Sequence, residues 1–126
     1  DHGTSQHSTP VPSDGKLLLS LRTDSHEELT VFQRLNAERS DIVRWTRDIS
    51  SQLTKAGWHE TRSWQQFANS ATARFERPMT AKHHPHQAME MTISFSESGK
   101  LTGTSNVIAI PEMQMVPSDA ANDHTP

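Results

Sequence analysis

Met89–Ile110, MEMTISFSESGKLTGTSNVIAI, is the stretch whose reading decides the fold. Met89, Met91, Ile93 and Phe95 alternate with Glu90, Thr92, Ser94 and Ser96, the two-residue period of a strand with one buried face. Glu97-Ser98-Gly99-Lys100 follows as a polar tetrad, with glycine where a tight turn needs positive φ. Leu101–Ile110, rich in β-branched residues, reads as the returning strand. A two-stranded hairpin is not stable alone in water, so other elements must cover its apolar face.

The covering elements are sought N-terminal to it. Ser63 and Gln66 form a capping-box pair, and Trp64, Phe67, Ala68, Ala71 and Phe75 make an apolar stripe at helical spacing. This predicts a helix that Pro78 ends, because the residue before proline is pushed out of the helical region. Upstream, Ser25 and Glu28 form a second capping-box pair, and neither Gly nor Pro occurs from there to Lys55. Leu35, Ile42 and Ile49 recur at sevens, with Phe32, Trp45 and Leu53 in the same stripe, and Gly57 stands at the C-terminal cap position. The favoured reading is one long helix, with a break between Asn36 and Asp41 allowed. The rival makes Glu28–Gln33 a strand paired with Lys16–Arg22, where Leu17, Leu19 and Leu21 fall on one face. The expected fold class is therefore α+β: a small antiparallel sheet with two helices packed on one face, in the order β-α-α-β-β.

The chain is 126 residues long, the size of one domain. Residues 1–15, DHGTSQHSTPVPSDG, are Ser/Thr/Pro/Gly-rich and read as a flexible leader; 16–116 form the single domain, and 117–126 a flexible tail. The net charge of −3 argues against a nucleic-acid surface. The absence of cysteine excludes disulfides, thiolate catalysis and cysteine zinc sites. No apolar run reaches the roughly 20 residues of a membrane span. The start at Asp1 fits a processed export signal, a removed lipid-bearing residue or an artificially trimmed chain; the expectation is a periplasmic or secreted protein, lipid-anchored in the second case.

Two clusters could bind metal. His83-His84-Pro85-His86 places His84 and His86 on the same side of an extended chain, and imidazoles suit Zn, Cu and Ni. Met89-Glu90-Met91 and Met113-Gln114-Met115 each set two thioethers side by side, a soft donor pair for Cu(I). Pro111-Glu112-Met113-Gln114-Met115 resembles a segment of CusF-type periplasmic copper chaperones, in which a histidine and a tryptophan complete the site. The candidate ligands are His83, His84, His86, Met113 and Met115, with copper as the cofactor, while Met89 and Met91 read as core.

A longer pattern runs from Trp64 to Val107. An aromatic helix ending in Arg74-Phe75-Glu76-Arg77-Pro78, a polar linker and a hairpin turning on Ser98-Gly99-Lys100 is similar to the C-terminal domains of TolA and TonB proteins. That resemblance implies a periplasmic interaction module that adds its sheet edge to another envelope protein. G-x-S-x-G, phosphate-loop and H-E-x-x-H motifs are all missing, so catalysis is not expected. The leading expectation is a non-enzymatic, TolA/TonB-like envelope interaction module without a cofactor. The alternative is a periplasmic copper-binding protein.

Overall fold

A computed structural model of the chain describes residues 8–78 and 86–110. Its elements are β1 (Lys16–Arg22), β2 (Glu28–Arg34), α1 (Asp41–Lys55), β3 (His59–Gln66), β4 (Ser70–Arg77), β5 (His86–Phe95) and β6 (Leu101–Ile110). The strands form one antiparallel sheet in the order β1-β2-β6-β5-β4-β3, and α1 packs across one face of it.

The β5–β6 hairpin has the form its alternation predicts. Met89, Met91 and Ile93 are buried against Phe75, Ala73 and Ala71 of β4, which lie directly opposite on the same face. Gly99 adopts φ +88, and the Ser96 and Gly99 amides close the turn on Lys100 and Ser96. β6 contributes Leu101, Ser105 and Val107 to the same inner face, and Gly103 sits opposite Phe32 of β2. Ile42, Trp45, Ile49 and Leu53 form the buried stripe of α1 that closes this core, with Phe32 and Trp45 ring centroids 5.2 Å apart.

The two-helix reading is overturned. Among the described residues there is one helix and six strands, so the fold is mostly β rather than a small sheet under two helices. Ser63–Arg77, the expected second helix and the helix of the TolA/TonB pattern, is the β3–β4 hairpin. Ala71, Ala73 and Phe75 are all buried while Thr72 and Arg74 point to the other face, a period of two. Alanines carry high helix propensity, yet on a strand beneath a helix their lack of bulk is what lets α1 approach β4.

The long helix is also shorter than expected. Glu28–Arg34 is β2, the rival reading, paired with β1 on one side and β6 on the other. The chain leaves β2 through Asn36 at φ +56 and enters α1 only at Asp41, whose carboxylate accepts the Glu38 amide at 2.9 Å. Phe32 reaches the helix stripe from the sheet below, and Leu35 is exposed. The C-terminal end follows the sequence: Gly57 takes φ +94, its amide bonds Thr54, and the Trp58 amide bonds Leu53. This doubly bonded cap also brings the buried Trp58 and Leu53 together.

Residues 8–15, part of the expected leader, lie against the inner face beside α1. The Ser8 amide and hydroxyl both donate to Glu28, and the buried Thr9 hydroxyl is 2.7 Å from Ser105 Oγ. Asp14 accepts from Arg34 and Arg44, each at 2.6 Å, and from Trp45 Nε1 at 3.0 Å. This segment covers sheet that one 15-residue helix leaves open.

Candidate interaction edge

Among the described residues the six-stranded sheet is open with two edges, and they are built differently. β3, at one edge, reads HETRSWQQ, and its pairing with β4 shifts register twice. Arg62 is tied to Glu90 at 2.8 Å, and the Thr61 hydroxyl donates to the Arg74 carbonyl. Charge, irregular pairing and side chains bonded inward are the usual ways of blunting an edge against further strands.

β1, at the other edge, reads KLLLSLR, and every one of its residues is exposed. Four of the seven are leucine, enough to keep the segment a strand although it buries little. Its register shifts once, between Leu17 and Leu19. That irregularity changes the expected faces. Leu17 stands opposite Phe32 on the inner side, whereas Leu19 and Leu21 stand opposite Val31 and Leu29 on the outer side. The outer face near this edge is therefore aliphatic: Leu19 and Leu21 from β1, half-buried Leu29 and Val31 from β2, and exposed Ile108 from β6. Lys16 begins the strand, and Asp24 and Glu27 lie in the turn that follows it.

The opposite half of the outer face is ionic. Glu90 accepts from Arg62 at 2.8 Å and Arg74 at 2.5 Å; Arg74 also reaches Glu76 at 3.1 Å, and Glu76 shares a 2.8 Å hydrogen bond with His86. The Glu76 carboxyl is held below its ordinary range, first by His86 and then by Arg74. The pairing within this ladder is internal, so it presents little uncompensated charge to a partner.

Of the metal candidates, His83, His84, Met113 and Met115 lie outside the described residues. His86 opens β5 with its Nε2 directed at Glu76 rather than at another imidazole of the described chain. Met89 and Met91 are fully buried core residues, as their strand positions indicate. Among the described residues no group of three His, Asp or Glu side chains converges on a point where a metal could sit. An open groove of about 550 Å³ runs between the start of α1 and the β3–β4 turn, lined by Arg39, Ile42, Val43 and the exposed Phe67. Among the described residues no helix is long and apolar enough to cross a membrane.

No protein-family model matches the chain, and no curated protein matches it. The sequence reading located the β1 strand but missed its place as a leucine-rich edge among the described strands. The signal was there: three consecutive leucines cannot all face one core from a strand.

Proposed function

We propose that the protein is a non-enzymatic interaction module of the cell envelope that binds a partner protein by adding a strand to β1. The observation that carries this reading is the contrast between the two sheet edges. Among the described residues, a strand that exposes four leucines beside an aliphatic patch is a template for pairing, and a protein that keeps one puts it to use. Main-chain hydrogen bonds along β1 supply register, and contacts to Leu19, Leu21, Leu29 and Val31 supply side-chain selectivity on the outer face. The envelope setting is carried only by the hairpin half of the TolA/TonB pattern, Met89–Val107, because its helical half is the β3–β4 hairpin in this fold.

The test is a paired pull-down from the source cells. Leu19→Lys with Leu21→Lys alters exposed positions only, so the variant should melt as the parent does. It should lose the partner that the parent retains, while Thr61→Lys on β3 should keep it. A partner retained by the β1 variant and lost by the β3 variant would place the working edge on the wrong side of the sheet. Fractionation that finds the protein in the cytosol would remove the envelope setting.

A further inference from the structure

We propose that Arg77, the last residue of β4, anchors a binding site for a small organic carboxylate, with Trp58 and Gln87 holding its guanidinium in place. The site lies on the inner face of the sheet and does not depend on the β1 edge.

Strand parity places Arg77 after Ala71, Ala73 and Phe75 on the side that α1 covers, beside its register partner Gln87 of β5. The guanidinium is fixed from two directions. Its carbon stands 4.5 Å from the centroid of the Trp58 ring, and one N–H donates to Gln87 Oε1 at 2.6 Å. Gln87 is buried, and its Nε2 donates to the His26 carbonyl in the β1–β2 turn at 3.4 Å. That second bond turns the amide oxygen toward Arg77. A guanidinium stacked on an indole face keeps its N–H donors in its own plane, and Gln87 accepts from a single one of them.

What this arginine lacks is a counter-charge. Arg34 and Arg74, the other half-buried strand arginines, have carboxylates at 2.6 Å and 2.5 Å. Among the described residues no carboxylate stands within salt-bridge distance of Arg77. Burial pulls its guanidinium down from the ordinary arginine range. Glu28 opposes that shift by its charge, but its carboxylate already accepts the Ser8 amide and hydroxyl. Nε1 of Trp58 is also buried without an acceptor among the described residues, so two donors of one cluster are unmatched. An unpaired cation held partly out of water is costly, and one oriented with its fork open suits a two-pronged carboxylate. The charge of Glu28 selects further, since a singly charged carboxylate is repelled there less than a phosphate dianion.

Sodium acetate is the probe, titrated at constant ionic strength while the Arg77 Nε–H and Trp58 indole N–H resonances are followed by NMR. Both should move along one saturating curve, with a Kd of about 10 mM or tighter. The resonance of the exposed Arg39 should not saturate with them. Arg77→Lys keeps the charge but loses the planar fork, and should weaken acetate by at least about tenfold at the Trp58 resonance. A melting curve shows whether that variant folds; if it does not, the contrast between Arg77 and Arg39 in the parent chain decides. Inorganic phosphate, titrated in the same way as its dianion, should bind more weakly than acetate. Shifts at Arg77 that grow linearly like those of Arg39 reveal an adventitious ion only and overturn the site. Saturation that Arg77→Lys leaves unchanged overturns it as well, and phosphate binding tighter than acetate overturns the choice of a carboxylate.

Discussion

At the scale of single residues, the tightest constraint in the sheet is Gly103. It faces Phe32 across β2 and β6, and a Cβ added there would stand 2.3 Å from the phenyl ring. Phe32 is fully buried beneath Trp45, so the ring has nowhere to retreat. Gly103→Ala should therefore destabilise the fold by about 1 to 3 kcal/mol, a strain cost that chemical denaturation would reveal. A neutral result would mean that Phe32 has freedom the packing denies it.

Asp14 is the second such residue. The Arg44 guanidinium, with help from Trp45 and Arg34, holds its carboxyl well below the ordinary aspartate range. Asp41 and Glu76 are lowered too, first by the Glu38 amide and by His86 respectively. Because the folded values lie below the unfolded ones, the unfolded chain binds more protons in acid. The stability these groups contribute is complete above the ordinary carboxylate range and is lost as pH falls below about 4.5. Asp14→Asn should lower stability at neutral pH by about 1 to 2 kcal/mol and flatten the acid limb of the pH profile. An unchanged acid limb would show that other carboxylates govern it.

Among the elements, the β5–β6 hairpin was legible because period two, a polar turn and a glycine needing positive φ all agree. α1 was legible from Asp41 onward for the same reason: stripe, length and C-terminal glycine coincide. β2 was obscured by Ser25 and Glu28, whose capping spacing also suits the tight β1–β2 turn. There the Thr23 hydroxyl bonds Ser25 Oγ and accepts the Glu27 amide. The β3–β4 hairpin was hidden by its alanines, whose helical preference is overridden by a position under α1. Residues 8–15 were hidden by composition alone, since a Ser/Thr/Pro/Asp segment can dock through hydrogen bonds rather than apolar area. Their docking is testable by comparing a chain beginning at Ser8 with one beginning at Lys16. The shorter chain loses the Glu28, Ser105 and Asp14 contacts and should be less stable by about 3 kcal/mol or more. Equal urea midpoints for the two would refute the docked segment.

At the scale of the whole fold, one helix among the described residues closes one face of a six-stranded sheet and leaves the outer face divided between an ionic ladder and an aliphatic margin. That division was not readable from the sequence. It depends on the register shift that turns Leu19 and Leu21 away from Leu17, and on which strands become edges, a property of strand order rather than of any segment. The β1 edge is the surface on which the functional account stands. Its most direct test is a photo-crosslinking amino acid placed at Leu19 in the source cells, with Thr61 on β3 as the matched control. The account predicts a discrete protein adduct from Leu19 and none from Thr61. An adduct from Thr61 with a silent Leu19 would contradict it.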